Sequence, residues 1–296
     1  MSEAEQVYCN KAFVPKSEAR ISVFDRGFLF ADAIYEVTAV LGGRLIDNDF
    51  HLSRLERSLT ELGMPLPLSL ADIEAVQSEL VARNRLVEGT VYLQVSRGKG
   101  ERNFLFADDL EPTFVAFTSA RRLSPTQAQE KGIAVDLVPD PRWLRRDIKT
   151  VMLLGQVLAK RAASQDGFED VWFFENGQVT EGGSATAFIV TKDNRVITRP
   201  NSHAVLPGCT SKALRLLCES EDIFFEERAF SPEEAFQAAE AFATSASTFV
   251  TPVVRIAEQV IGNGRPGPLT RRLQELYLRA ARGELDRPTG APKAFA

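Results

Sequence analysis

Apolar residues recur along this chain with two different periods, and the changes from one to the other mark out its elements. From Ala33 to Leu41 an apolar run stops at Gly42-Gly43 and resumes at Arg44-Leu-Ile46, a hairpin signature. Side chains of a strand alternate between faces, so Tyr35, Val37 and Ala39 share one side and Glu36, Thr38 and Val40 the other. Phe50, Leu55, Leu59 and Leu62 follow at helical spacing, with Asp47 or Asn48 as the cap and Gly63 as the stop. Ser69, with Asp72 three residues on, opens a second helix to about Arg85. Thr90 to Ser96 and Thr113 to Ser119 read as strands on either side of a basic, glycine-containing loop, Gly98 to Phe104.

The polar stretch Arg121 to Gln127 carries Pro125 and separates two runs of strands, which places a domain boundary near Ser124. Ile133 to Val138 alternates as a strand. Beyond Ile148 and Lys149, the residues Val151, Leu154, Val157, Leu158 and Ala162 recur at helical spacing, and Gly167 can end that helix. Read as a core stripe, they put Lys149 at the buried entrance of the helix. Asp170 to Glu175 and Gln178 to Glu181 flank Asn176-Gly177, a pair suited to a two-residue primed turn. Ala187 to Thr191 is an apolar strand, and Leu206 to Ser211 leads into an amphipathic helix from Lys212 to Glu219. Ser231 to Glu234 is a capping box and is given no further role. Thr244 to Thr248 is a run of small, mostly hydroxyl residues between apolar segments. A helix from about Leu269 to Ala281 precedes a tail, from Glu284, expected to be loosely ordered.

Composition narrows the function. The 296 residues are 44% hydrophobic and 25% charged, as in an ordinary globular protein long enough for two domains. A net charge of -5 gives no footprint for nucleic acid or an anionic membrane, so neither is expected as a partner. Cys9, Cys209 and Cys218 have no metal spacing, and their odd number suits a reducing compartment. His51 and His203 are the only histidines, which argues against a zincin site or a histidine-centred triad, and no metal is expected. Met1 to Glu5 lacks the regions of a signal peptide and no run approaches a membrane span, so a cytoplasmic protein is expected.

Several residues then stand out as chemistry. A lysine at a buried helix entrance loses hydration, which favours the neutral amine a Schiff base needs; the alternative is that Lys149 snorkels its ammonium to water. Arg54, one residue off its apolar stripe, is either solvated or turned along the helix edge into a site. Glu181 is either a solvated strand end or a buried carboxylate, and a buried one needs a partner. Gly208 lets the backbone approach closely ahead of a helix start that favours phosphate, although Thr210 or Ser211 as an ordinary N-cap explains the same residues. Gly262 to Gly267 fits a dinucleotide pattern, but a proline interrupts it and no βαβ unit surrounds it, so it reads as a loop.

Together these stretches resemble one family over nearly the whole chain: the fold-type IV pyridoxal-phosphate aminotransferases, in particular the bacterial D-amino acid aminotransferases. The resemblance rests on Asp25-Arg-Gly-Phe-Leu-Phe-Ala-Asp32, Tyr35-Glu-Val37, His51-Leu-Ser-Arg-Leu55, Arg142-Trp-Leu-Arg-Arg-Asp-Ile-Lys149, Leu153-Leu-Gly155, Val179-Thr-Glu-Gly182, Gly208-Cys-Thr210 and Thr251-Pro-Val253. It implies an α/β (α+β) architecture in a homodimer, with a smaller N-terminal α/β domain (1–123), a larger C-terminal domain (124–296) and pyridoxal 5'-phosphate held between them. Lys149 would form the Schiff base with the cofactor and carry the proton to and from the substrate's α-carbon, and Glu181 would pair with the ring nitrogen. Arg54, the helix start at Cys209 and Thr210, and Ser245-Ala246 would hold the phosphate, with Leu206 under the ring. Tyr35, Val37, Arg102, Phe104 and Ser184 would face the substrate.

Two departures bear on substrate choice. Where the family has a run ending in asparagine, Ser-Ser-Asn-x-Phe, this chain has Ser184-Ala-Thr186-Ala-Phe188, a hydroxyl in place of an amide. Where the D-amino acid enzymes follow their carboxylate-binding arginine with a histidine, this chain keeps Arg102 but has Phe104; Arg97, Lys99 and Arg146 are the next candidates for the carboxylate. The reading is therefore amino transfer from a D-amino acid to a 2-oxo acid such as 2-oxoglutarate or pyruvate, with side activity on (R)-amines from the apolar Phe104. The alternatives are an aminodeoxychorismate lyase, a branched-chain L-amino acid aminotransferase, and a non-catalytic nucleotide-binding module.

Overall fold

The computed structural model describes residues 5–286. Met1 to Ala4, read above for a signal peptide, and the tail beyond Asp286 lie outside the described residues. Internal contacts gather the chain into two units: Met1–Arg122 with Ile148–Met152, and Leu123–Asp147 with Leu153–Ala296. The division after Arg122 lies beside the position expected from Pro125. The short Lys149 segment, however, groups with the first unit.

The first unit contains β1 (Gln6–Cys9), β2 (Ala12–Pro15), α1 (Arg26–Phe30), β3 (Ala33–Leu41), β4 (Arg44–Ile46), α2 (Asn48–Glu61), α3 (Leu70–Arg83), β5 (Glu88–Ser96) and β6 (Thr113–Ala120). Its six-stranded sheet runs β2-β1-β6-β5-β3-β4, antiparallel at every pairing. One face is packed by α2 and α3, whose Leu52, Leu55, Leu59, Ile73 and Leu80 meet Ile34, Leu93 and Val95 in a core that also takes in Ile148. Fully burying each such side chain contributes roughly 1.5–3 kcal/mol. Ser69 caps α3 as expected, accepting from the Asp72 N-H. Asp47 stands at the start of α2 in a left-handed conformation without side-chain capping, and the short α1, capped by Asp25, has too few turns to show a period in the sequence.

The second unit contains α4 (Gln127–Lys131), β7 (Ile133–Pro139), α5 (Leu154–Gln165), β8 (Asp170–Glu175), β9 (Gln178–Gly182), β10 (Thr186–Val190), β11 (Val196–Thr198), α6 (Cys209–Ser220), β12 (Phe225–Glu227), α7 (Pro232–Phe236), β13 (Glu240–Ser245), β14 (Phe249–Ile256), β15 (Gln259–Val260) and α8 (Pro268–Ala281). Its sheet runs β12-β11-β10-β13-β14-β7-β8-β9, with β15 pairing β14, and mixes parallel and antiparallel ladders. Asn176 and Gly177 both adopt positive φ, 52° and 70°, giving the primed turn expected between β8 and β9.

The structure corrects one element. Lys149 does not enter a helix: the segment around it is extended and lies along β3, with the Tyr35 N-H donating to the Lys149 carbonyl (3.0 Å) and the Val151 N-H to the Ala33 carbonyl (3.1 Å). The helix begins only at Leu154, and its apolar stripe is not core. Leu154, Val157 and Leu158 are 70%, 57% and 61% exposed, and Ala163 alone among the helix residues is buried. Periodicity locates an apolar face without saying what covers it. Here the face turns away from its own unit. Among the described residues no helix is long and apolar enough to cross a membrane.

Candidate active site

In the first unit, β3 divides its side chains as the alternation requires. Tyr35 and Val37 lie half-buried on one side, while Glu36 and Thr38 are buried on the other. The Lys149 amine stands 4.4 Å from the centroid of the Tyr35 ring, so the lysine's extended segment and β3 together bring the two candidates into contact. Tyr35 stacks on Tyr92 of β5, which pairs with Val37 across the ladder and stacks in turn on Phe117 of β6. Sequence reasoning missed Tyr92. The only available signal was its register opposite Val37, which depends on pairing β3 with β5.

Arg54 is 3% exposed and is not solvated. Its Nε donates to Glu36 Oε1 and its Nη2 to Glu36 Oε2, both at 2.7 Å, while His51 Nδ1 lies 2.8 Å from Oε2. The Arg54 guanidinium and the His51 ring outweigh the cost of burial and hold the Glu36 carboxyl down at about 2. A glutamate in the middle of an apolar strand was the available clue, since a buried carboxylate needs such a partner.

Arg102 and Phe104 lie on the exposed loop between β5 and β6. Phe104 is 81% exposed and packs against Phe30, ring centroids 5.6 Å apart, with the Arg102 guanidinium 5.7 Å from the same ring. The loop is tethered from below: Asp32 accepts from both Arg26 Nε and Arg97 Nε, and Arg26 Nη1 donates to the Asn103 carbonyl. Arg97 also donates to the Leu62 carbonyl, and Arg146 is held by Glu175 through both terminal nitrogens, so these two alternatives for a substrate carboxylate are already engaged. Among the described residues Arg102 forms no ion pair.

In the second unit, Glu181 near the end of β9 is buried, 4% exposed. Its Oε2 accepts the Leu206 N-H at 3.0 Å, joining two of the candidates, and its Oε1 accepts from Arg142 Nη1 at 2.5 Å. Burial pushes the Glu181 carboxyl above the usual carboxylate range, with Arg142 and the Leu206 N-H opposing that rise and the Asp140 carboxylate adding to it. Ser184, two residues past β9, is exposed and accepts from the Lys160 amine at 3.3 Å.

Gly208 is the N-cap of α6, so the helix starts at Cys209, three residues earlier than the sequence suggested. No side chain caps it. Thr210 is therefore not a cap but a first-turn residue, 2% exposed, with a buried hydroxyl that has no hydrogen-bond partner. Cys209 is buried beside it. Thr186 and Thr244 face each other across β10 and β13, and a Cβ on Gly208 would come within 2.5 Å of the Thr186 hydroxyl, so only glycine permits this approach. The Thr244 hydroxyl is likewise buried without a partner. Ser245 follows it, hydrogen-bonded to Thr248 across the turn that contains Ala246. Orphaned hydroxyls are rare in a folded interior, and an uncapped helix start presents free N-H groups with about half a positive charge. The arrangement suits a phosphate. Thr244 opens the run of small, mostly hydroxyl residues noted in the sequence; its unpaired state is visible only in three dimensions.

Residues 33–256 match the family model for amino-transferase class IV. The chain is 36% identical over 269 residues to a D-alanine aminotransferase of Bacillus licheniformis, covering 91% of this chain and 94% of the relative. It is also 36% identical over 272 residues to a D-alanine aminotransferase of Staphylococcus aureus (strain N315), covering 92% and 96%. Its fold matches a branched-chain amino acid aminotransferase of Escherichia coli with a TM-score of 0.90 at 21% identity, over 97% of this chain and 98% of that one. The chain belongs to the class IV aminotransferases. It is a pyridoxal-phosphate-dependent transaminase of fold type IV.

Proposed function

We propose that the protein transfers the amino group of a D-amino acid to a 2-oxo acid such as 2-oxoglutarate or pyruvate. The D-configuration is supported by 36% identity to D-alanine aminotransferases over nine-tenths of the chain. The structural observation behind the cofactor site is Thr210, a buried and unpartnered hydroxyl in the first turn of an uncapped helix. Thr210, Cys209, Ser245, Ala246 and Arg54 are assigned to the phosphate, and Leu206 to the underside of the ring. When bound, pyridoxal phosphate supplies the electron sink that lets a proton leave the substrate's α-carbon.

The remaining work falls to side chains. Lys149 provides the amine that anchors the cofactor and then moves the proton at the α-carbon; its place against the Tyr35 ring keeps it at one point on β3. Glu181, fixed through both oxygens, accepts the hydrogen bond of the protonated ring nitrogen. Tyr35, Val37 and Ser184 line the substrate, and Arg102, with no ion pair among the described residues, is assigned to its carboxylate. Phe104 stands where a further polar donor would serve that carboxylate, which favours slow acceptance of (R)-amines that lack one.

The working form is a homodimer in a reducing, cytoplasmic compartment. The support for the dimer is the exposed apolar face of α5, Leu154, Val157 and Leu158, together with Leu144, which is 76% exposed. Apolar residues gathered on one helix face mark a surface that another protein covers. The support for the compartment is that Cys9, Cys209 and Cys218 are all unpaired thiols. The test of the activity is a half-reaction titration of purified protein with D- and L-alanine, D- and L-glutamate, the branched-chain L-amino acids and aminodeoxychorismate. Loss of the cofactor's absorption with the D-amino acids alone is the expected result. Reaction only with a branched-chain L-amino acid, or pyruvate release from aminodeoxychorismate, would replace this reading by one of the two alternatives.

A further inference from the structure

Glu181 is not held by the backbone alone. Arg142, in the loop after β7, directs three nitrogens at two carboxylates: Nε donates to Asp140 Oδ1 (2.9 Å), Nη2 to Asp140 Oδ2 (2.7 Å), and Nη1 to Glu181 Oε1 (2.5 Å). The Asp140 side chain is fully buried and Oδ2 also accepts the Thr180 hydroxyl at 2.8 Å, so the clamp on the guanidinium is itself fixed to β9, one residue before Glu181. The guanidinium lies 4.8 Å from the Phe173 ring centroid on β8, which closes one of its faces to water. Five groups thus share one buried patch, and among the described residues only Arg142 forms an ion pair with Glu181.

We propose that Arg142 is a positioning residue for Glu181: clamped by Asp140, it fixes one oxygen of the carboxylate and supplies the charge that lets a buried glutamate remain ionised. This rests on the reading that Glu181 serves the cofactor's ring nitrogen. The physical argument is that a carboxylate in such a place has two ways to avoid the cost of burial: it can take up a proton, or it can be paired. A protonated Glu181 would offer no negative charge to a protonated ring nitrogen. Burial and the Asp140 carboxylate push Glu181 toward protonation; against them stand Arg142, with its charge and hydrogen bond, and the Leu206 N-H, a single neutral donor, so the larger opposition comes from Arg142. Of the other charges nearby, Arg146 holds Glu175 and also lies 3.5 Å from Asp140 Oδ2, and Arg199 donates to the Val179 carbonyl. Asp140 has a separate task. By occupying Nε and Nη2 in a fork it leaves the guanidinium a single orientation, with Nη1 toward Glu181.

The test compares Arg142→Gln, Arg142→Lys and the double variant Asp140→Asn/Arg142→Gln in the full-length chain, with and without cofactor. Infrared titration of the cofactor-free protein, referenced to Glu181→Gln, reads the Glu181 carboxyl directly. Its midpoint should rise by about one pH unit or more in Arg142→Gln, and Arg142→Lys should recover at least half of that rise. The double variant leaves no unpaired Asp140 and keeps the test available if the single variant does not fold; it too should titrate higher than the parent, though by less than Arg142→Gln, because the smaller upward push of the Asp140 charge is removed with it. An unchanged midpoint in whichever of these two variants folds would overturn the proposal. In the holoenzyme, the pH dependence of the cofactor's absorption should move in Arg142→Gln, and Arg142→Gln should add nothing once Glu181→Gln is present. If Glu181→Gln alone leaves the absorption and its pH dependence as in the parent, the ring-nitrogen reading fails, whereas the infrared midpoint still decides the Arg142 coupling.

Discussion

Replacing Glu36 by glutamine tests whether the fold of the first unit depends on a single buried charge cluster. The carboxylate is 1% exposed and accepts from Arg54 through Nε and Nη2, with His51 at its second oxygen. Glu36→Gln keeps the volume but turns an NH2 toward the guanidinium and removes the charge paired with it. Breaking a buried pair by removing one partner costs about 3–5 kcal/mol. The proton equilibrium gives an independent figure. The Glu36 carboxyl sits at about 2 against an ordinary value of 4.5, and at about 1.4 kcal/mol per pKa unit that is roughly 3–4 kcal/mol. Because the value is depressed in the folded state, this stability is fully present above 4.5 and is lost as the pH falls through about 2. Urea unfolding of the cofactor-free protein should therefore show Glu36→Gln weaker than the parent by about 3–5 kcal/mol at pH 7, the gap narrowing as the pH falls below the ordinary carboxylate value. Cofactor affinity should fall as well, since Arg54 loses the partner that orients it. A variant within about 1 kcal/mol of the parent at pH 7, with parental affinity, would refute the reasoning.

Borohydride reduction should fix the cofactor to Lys149, and Lys149→Ala should lose both that link and about four orders of magnitude of turnover; peptide mapping that places the adduct on another lysine would reject the assignment. Glu181→Gln should retain the cofactor but slow the amino-transfer half-reaction by about a hundredfold. Because the Glu181 carboxyl is raised by burial, its neutral form adds stability at low pH that is lost as the pH rises through the raised value, so the cofactor-free Glu181→Gln protein should lose less stability than the parent between pH 4.5 and neutrality. Arg102→Ala should raise the Michaelis constant for D-alanine about tenfold, and the parent should turn over an (R)-arylalkylamine slowly and its (S)-enantiomer not at all; parental kinetics in Arg102→Ala would place the carboxylate elsewhere. Leu158→Glu, on the exposed face of α5, should shift the sedimenting species from dimer toward monomer, and unchanged sedimentation would remove that face from the interface.

What the sequence revealed and what it concealed divide along the range of the interactions. Gly42-Gly43 and Asn176-Gly177 specify their turns by residues that tolerate positive φ, so both hairpins were legible from two letters each. The alternation along β3 separated Tyr35 and Val37 from Glu36 and Thr38 for the same local reason. The parallel placement of β7 between β14 and β8 brings together residues more than a hundred positions apart, and no local signal encodes it. The partners of the charged candidates were hidden in the same way. Arg54 could be placed at the edge of a helix, but that it meets Glu36 follows from packing α2 on β3; Glu181 could be placed at a strand end, but that Arg142 meets it follows from how the loop after β7 returns over β9.

The Lys149 segment shows a different limit. Its apolar period was real, and α5 does form, yet the inference from apolar stripe to core was wrong, because a hydrophobic face is satisfied equally by its own unit or by another surface. Leu154, Val157 and Leu158 are more than half exposed in the single chain. The Lys149 segment is held to β3 by two backbone hydrogen bonds, one at the Lys149 carbonyl and one at the Val151 N-H, rather than by a helix start, so its position is tied to the strand that also carries Tyr35 and Glu36. One strand thus sets the amine against the Tyr35 ring on one side and the carboxylate that orients Arg54 on the other. A shift of β3 by a single residue would exchange the two faces and lose both contacts at once.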